Sequence, residues 1–518
     1  MKNFVSRFLL VIFIIFFSLN VNNVNASDVQ VFTDWEKGYK LSIPVGSVQK
    51  SDFPNVFKRF ETVDTVIEVY FDNLDTINTS LNDYIFYGNK FLYDSKRVTV
   101  TQNSWANIGG YNAHITAWKR SKLARVADDK NYYVSVVFAR GDSSLITIYI
   151  KSNKPIDEQK YLSNFEFFKK QPQVTEPAKR LYKQSSTPMS AQTKEVYQKL
   201  FGSNAHLTWG IFEPTVGLHF ENLKEGLEDK LKYKFKVAMV YQPLKSHAPQ
   251  YLIEQSQKEG RIVELTLFTA AASGADALKN ATSSNSEVVF DILDGCYDEW
   301  LINYAKQLKQ TNYPVMLRLN NEMNGDWCWY NAVYTALDTE LYKKMWIYVH
   351  GIMKQQGVDN LIWVWNPHDK SFPNFAWNSA FAYYPGDEYV DVVGMTGYNT
   401  GNYFTGETWR EFKEIYDPLY KEYSYYFDKP FILGEFASSS YGGDKSKWIK
   451  TMFEQIGNYP RIKVAVWWNG VDFDSKMNSA RIYIITENEE TIQAFKDGLS
   501  KYPSEYKPNT NWIEKFSN

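Results

Sequence analysis

The sequence predicts an α/β chain: a (β/α)8 TIM barrel forms the larger part, and a small α+β domain with an antiparallel sheet precedes it. Three observations carry this. Beyond residue 193, eight short apolar runs recur, at 207–212, 237–241, 262–268, 315–319, 361–365, 390–394, 431–433 and 464–468. Helix-patterned stretches such as 298–310, 341–356, 409–425 and 447–455 lie between them. Near-continuous apolar strands alternating with amphipathic helices imply a parallel sheet buried on both faces, and eight such units suit a closed barrel. An open doubly wound sheet is the alternative, but no Gly-rich phosphate loop follows the first run. Second, residues 28–169 alternate with a period of two, as in Val66-Ile67-Glu68-Val69-Tyr70-Phe71, and 132–139 and 145–150 flank a hairpin turn at Arg140-Gly141-Asp142-Ser143. Third, residues 170–192 are rich in Gln, Pro, Ser, Thr and Lys, a composition that buries little surface and reads as a linker. Residues 193–518 are therefore expected to fold as a unit of their own.

The N-terminus, residues 1–26, reads as a secretory signal. Lys2 and Arg7 supply the positive end, 8–19 the short apolar core, and Val24-Asn25-Ala26 a small-residue cleavage site. The core is short for a membrane span, so removal of the signal leaves no span; an uncleaved anchor is the alternative. The expected location is secreted or cell-surface, and the Asn/Lys/Ile/Tyr bias suggests a bacterial source. A net charge of −2 gives no reason to expect nucleic acid as partner. The six His are scattered and form no ligand-spaced pair, so neither metal nor cofactor is expected. Cys296 and Cys328 fall on the same rim of the expected barrel, and in an exported protein they can pair.

Two segments place a glutamate just past an apolar run: Val315-Met316-Leu317-Arg318-Leu319-Asn320-Asn321-Glu322 and Phe431-Ile432-Leu433-Gly434-Glu435. One such glutamate is more often a cap or an ion-pair partner than a catalyst. Here they follow runs four and seven, whose C-terminal ends face each other across a barrel mouth, where active sites of this fold sit. Two carboxylates across a cleft are the machinery of glycoside hydrolysis. The aromatic, polar loop after Glu322, Met323-Asn324-Gly325-Asp326-Trp327-Cys328-Trp329-Tyr330, suits a sugar ring with apolar faces and a hydroxyl rim.

Over most of 200–480 the chain resembles glycoside hydrolase family 26, of the clan of retaining (β/α)8 hydrolases. Arg318-Leu319-Asn320-Asn321-Glu322-Met323-Asn324-Gly325-Asp326-Trp327 is similar to that family's Arg-x-x-His-Glu-Met-Asn-Gly-x-Trp. Trp363-Val364-Trp365-Asn366-Pro367, Gly397-Tyr398-Asn399, Gly434-Glu435-Phe436 and Val466-Trp467-Trp468-Asn469 resemble its later strand segments. The resemblance implies Glu322 as acid/base, Glu435 as nucleophile, and Tyr398 as a hydrogen-bond partner of Glu435. It further implies Trp467 as floor of the adjoining sugar subsite, Trp327 on the leaving-group side, and Arg318 as an organiser of nearby carboxylates; Trp209 and Trp468 are expected in packing roles. Asn321 departs from the family's His and places a donor and acceptor beside the sugar 2-hydroxyl. The function implied is a secreted, monomeric, endo-acting retaining β-glycoside hydrolase acting on a polysaccharide, β-1,4-mannan first. β-1,3-1,4-Glucan, β-1,3-xylan or a host exopolysaccharide are the alternatives, and a non-catalytic polysaccharide-binding protein is the alternative of another class.

Overall fold

The structure, a computed structural model, describes residues 28–171, 182–269 and 287–507. The signal segment and residues 172–181 of the linker lie outside the described residues. No described helix is long and apolar enough to cross a membrane.

Eight parallel strands close on themselves: β1 (Thr208–Phe212), β2 (Val237–Pro243), β3 (Ile262–Phe268), β4 (Val315–Leu319), β5 (Leu361–Trp365), β6 (Val392–Asn399), β7 (Phe431–Ser438) and β8 (Ile462–Trp468). β1 pairs with both β2 and β8, which leaves no edge. The alternation of side chains along each strand sorts residues into two layers. Met239, Met316, Val364, Ile432 and Val466 fill the interior, and Leu200 and Phe201 of the helix Ala191–Phe201 pack on them from the end where the strands begin. Leu265, Leu317, Trp363, Trp365 and Leu433 point outward into the helix layer. β6 and β7 extend well past their apolar runs. Their extra residues, Thr396 to Asn399 and Glu435 to Ser438, still pair with each other, but they are partly polar, so hydrophobicity marks only the first half of each strand.

The N-terminal domain carries a seven-stranded antiparallel sheet running from Val48–Gln49 at one edge to Val98–Ile108 at the other. Its two faces have different partners. Ile67, Val69, Ile115, Val136 and Ile148 face a three-stranded sheet that includes Tyr39–Pro44. Tyr70, Trp118, Tyr133 and Tyr149 face the other way, together with helix α1 (Leu81–Asp94), and share one continuous core with the barrel. Phe91 of α1 stacks on Phe290, their ring centroids 6.0 Å apart, and Phe53 lies 5.0 Å from Phe381.

Charge is buried in the same seam. Lys151 meets Glu68 at 3.2 Å and Asp338 at 2.9 Å, with all three nearly inaccessible. Arg59 bridges Glu68 and Glu340, and Arg97 reaches Asp291 and Asp294. Arg59 and Lys343 hold the Glu340 carboxyl well below its ordinary range, against the opposing effect of burial. A buried ion set of this kind requires every member, because removing one leaves an uncompensated charge. The remainder of the linker is also docked: Ser185 and Thr187 donate to Asp391 at 2.5 and 2.6 Å, and Ser186 N donates to the Glu388 carbonyl. The composition of 170–192 gave no sign of this docking.

Candidate active site

The barrel centre is occupied by polar side chains from three strands. Arg318 on β4, fully buried, places Nη2 2.6 Å from Oε1 of Glu435 on β7 and Nε 3.5 Å from Glu264 on β3. Its Nε also donates to Thr266 at 2.8 Å. Crowding here requires glycine at position 434: a Cβ on Gly434 would lie 2.0 Å from Asn366 Oδ1 and 3.0 Å from Arg318.

Three donors converge on Glu435. Besides Arg318, Asn321 Nδ2 donates to Oε1 at 3.0 Å and the Tyr398 hydroxyl to Oε2 at 2.8 Å. An ionised carboxylate only accepts, so this arrangement suits the charged form. Glu264 has one cation nearby, and that cation is shared. Burial pushes its carboxyl up to about 8, with Arg318 opposing and Glu435 reinforcing the shift. Of the two carboxyls, Arg318 makes the closer contact with Glu435, 2.6 Å against 3.5 Å to Glu264.

Glu322 is held differently. The chain turns sharply where β4 ends: Asn320 and Glu322 both adopt left-handed backbone, φ 51° and 53°. Asn accepts that conformation readily, whereas a Glu there is uncommon and marks a constrained site. Asn320 Oδ1 accepts from Thr269 N at 2.7 Å, and Glu322 N donates to the Asn366 carbonyl at 2.8 Å. Asn324 ties this loop to the one after β5, accepting from His368 N at 2.9 Å and donating to the His368 carbonyl at 3.0 Å. The Glu322 carboxyl accepts from Trp327 Nε1 at 3.0 Å. Burial first, and then the Glu435 charge, push it up to about 7, while His368 and the indole act in the opposite direction. One carboxylate gripped by donors faces another that keeps its proton near neutrality. Two carboxyls with such unequal surroundings are able to take different chemical parts.

Trp327 is 42% exposed and packs between His368 and Phe372, at 5.3 and 5.2 Å. The two tryptophans of β8 exchange the expected places. Trp467 is wholly buried behind the strand, among Phe436, Trp448 and Phe495, and donates to the Tyr483 carbonyl. It cannot form a subsite floor. Trp468, expected in packing, stacks on Phe212 at 5.2 Å, stands edge-on to Tyr398 and donates to the Tyr241 hydroxyl at 3.1 Å, on the side of the mouth that holds Glu435. A register one residue off inverts every side chain of a strand, and the paired Trp-Trp left that register open.

The cysteine pairing is corrected as well. Both thiols are free: Cys296 is exposed on the turn before the helix Asp298–Thr311, whereas Cys328 is buried under the mouth, its Sγ 3.6 Å from the Asn321 carbonyl. Among the described residues no group of three or more His, Cys, Asp or Glu is placed to hold a metal ion.

Glu264, Tyr241, His368 and Trp468 complete the site beyond the expected residues. Glu264 was visible as a charge in the middle of an apolar strand, Ile262-Val263-Glu264-Leu265-Thr266, where an unpaired carboxylate is costly. His368 and Tyr241 carried no such mark.

Comparison with known proteins agrees with this geometry. Residues 254–421 match the model of glycosyl hydrolase family 26, a span that contains Glu322 and stops short of Glu435. Endoglucanase H of Acetivibrio thermocellus is 29% identical over 213 residues, which is 40% of this chain and 23% of that protein. A mannan endo-1,4-beta-mannosidase of Bacillus subtilis is 35% identical over 103 residues, 19% of this chain and 27% of that protein. Another from Bacillus subtilis strain 168 is 29% identical over 172 residues, 32% of this chain and 41% of that protein. The chain thus spans about a quarter of the length of the first two relatives it matches. Residues 254–421, set in a closed barrel that carries Glu322 just past β4 and Glu435 within β7, are thus similar to glycosyl hydrolase family 26.

Proposed function

We propose that this protein is an exported endo-acting hydrolase that cleaves β-1,4-mannan by double displacement. Glu435 attacks the anomeric carbon and forms a glycosyl-enzyme. Glu322 first protonates the leaving oxygen and then takes the proton from the incoming water. The observation that carries this reading is the inequality of the two carboxyls. Glu435 accepts from Arg318, Asn321 and Tyr398, while Glu322 is pushed up to about 7 and retains a proton to give. The kcat/KM profile is then expected to fall on its alkaline side near pH 7, as Glu322 loses that proton. Trp468, stacked on Phe212 beside Tyr398, replaces Trp467 as the sugar platform next to Glu435, and Trp327 lines the leaving-group side.

Mannan is supported by the names of the Bacillus relatives. A β-glucan is the second reading, favoured by the longer match to Endoglucanase H and by Asn321, whose amide reaches the carboxylate that would bond the anomeric carbon. The test is the purified mature chain on mannan, glucomannan, mixed-linkage glucan and β-1,3-xylan, with the first-formed anomer read by proton NMR. Release of β-anomeric manno-oligosaccharides supports the proposal, and α-anomeric first products would refute double displacement. A carboxyl separation of about 5–5.5 Å in a substrate-analogue complex would agree with retention.

A further inference from the structure

We propose that the N-terminal domain is part of the catalytic apparatus, with Tyr87 as a positioning residue that keeps Trp327 directed at Glu322. This rests on the reading of Glu322 as the acid/base.

Trp327 makes the side-chain hydrogen bond to the Glu322 carboxyl, yet its ring is substantially exposed and its chain segment leaves the barrel. An indole in that position needs bracing to compete with water. The bracing comes from the N-terminal domain. The Tyr87 hydroxyl of α1 donates to Asp326 Oδ2, on the residue immediately before Trp327. The far end of the same loop is tied down by the sheet. Tyr149 donates to the Ala336 carbonyl at 2.6 Å, Lys151 meets Asp338 Oδ1 at 2.9 Å, and Tyr133 donates to Asp338 Oδ2 at 3.1 Å.

The neighbouring loop, whose Phe372 packs against Trp327, is held from the same side. Phe375 lies 4.5 Å from Tyr84 and 5.9 Å from Tyr87, and Ala376 N donates to Asp72 Oδ1 at 2.8 Å. Tyr84 and Tyr87 are one helical turn apart on α1, so one helix face contacts both loops that flank the indole. Among the described residues the barrel supplies no equivalent contact to Asp326 Oδ2; its own Tyr334 reaches the Asp326 carbonyl instead.

The consequence is chemical as well as steric. A donor favours the ionised form of the carboxyl it serves, so a displaced Trp327 leaves Glu322 with a higher pKa and a poorly aimed proton. In glycosyl-enzyme formation, the step that kcat/KM reads, only a leaving group that needs protonation would register the change.

The experiment uses the full mature chain with Tyr87→Phe, which keeps the ring against Phe375 and removes the hydroxyl. Kinetics are measured on a manno-oligosaccharide and on a dinitrophenyl β-mannoside. With the natural leaving group, kcat/KM is expected to drop about tenfold, a part of the roughly 10²–10⁴-fold that a positioned proton donor contributes. The alkaline limb should move upward, while kcat/KM on the activated substrate, which reads glycosyl-enzyme formation, stays within about twofold of the wild-type value. An equal fall on both substrates, or no change on either with an unmoved pH profile, overturns the proposal. Asp326→Asn, which weakens the same contact from the barrel side, should reproduce the pattern, and a variant that leaves all rates unchanged counts against it. A wild-type chain inactive on every β-glycoside refutes the proposed function instead, which separates the two failures.

Discussion

Glu435, in the second half of β7, and Glu322, just past β4, belong to strands three apart in the ring, and they are held by different parts of the molecule. Among the described residues the donors to Glu435 come from the barrel, with Arg318 from β4, Tyr398 from β6, and Asn321 from the turn that follows β4. Among the described residues Glu322 has one side-chain donor, on a loop clasped between the barrel and the N-terminal domain. The environment of the proposed nucleophile is thus built once the barrel closes, whereas that of the proposed acid needs the interface as well. Rigid strands aim a charge accurately, while a loop can adapt to the varied leaving group that a polymer presents.

The sharpest way to break this contrast is to remove each carboxyl. Glu435→Ala is expected to abolish turnover on all substrates, since no covalent intermediate can form. Glu322→Ala should be nearly inactive on polysaccharide but retain glycosyl-enzyme formation from dinitrophenyl glycosides, and azide should speed its turnover and give a β-configured azide product. Equal losses on natural and activated substrates for both variants would contradict the division of roles.

The seam between the domains gives the next largest effect. Lys151→Met leaves Glu68 and Asp338 without their shared cation, and breaking a buried pair costs about 3–5 kcal/mol. Urea unfolding of the variant should show that loss, and a change under 1 kcal/mol would mean that the interface is looser than the contacts at 2.9 and 3.2 Å indicate.

On the Glu435 side, Asn321→Ala is expected to lower kcat/KM roughly 10²-fold, about 2.7 kcal/mol, because its amide donates to Glu435 and, on the proposed reading, would adjoin the sugar 2-hydroxyl. Asn321→His should shift the ratio of mannan to glucan turnover if the position reads that hydroxyl. A uniform decline across polymers would show that it only braces Glu435.

The smallest effect concerns Glu264. Its carboxyl is pushed up to about 8 in the folded chain, against roughly 4.3 when unfolded. The folded state therefore binds the extra proton between those values, and its stability should decline as pH rises across that window. Glu264→Gln should flatten the fall in Tm between pH 5 and pH 8, and an unchanged slope would show that another group is responsible.

The barrel was legible because strand and helix periods repeat eight times, and the apolar runs at 262–268, 315–319 and 361–365 match the observed strands to the residue. The glutamates were legible because each ends such a run. What stayed hidden depended on register or on distant partners. Trp467 and Trp468 could be told apart only by which face of β8 each occupies. Tyr87 and Asp326 are 239 residues apart, and no periodicity links them. A Ser/Thr/Pro-rich stretch reads as a tether whether or not its hydroxyls find carboxylates, as Ser185 and Thr187 do.

One guanidinium, Arg318, shared among the carboxyls at the barrel centre has a consequence for inhibition. With that charge matched to Glu435, and with burial pushing the Glu264 and Glu322 carboxyls up, an amine that mimics the positive charge of the transition state meets no unmatched counter-ion among the described residues of the site at pH below 7. Its capture must expel a proton from Glu322. Calorimetry of a cationic iminosugar in buffers of different ionisation enthalpy should therefore register proton release and tighter binding as pH climbs toward 7, while a neutral sugar of the same shape should bind with no proton exchanged.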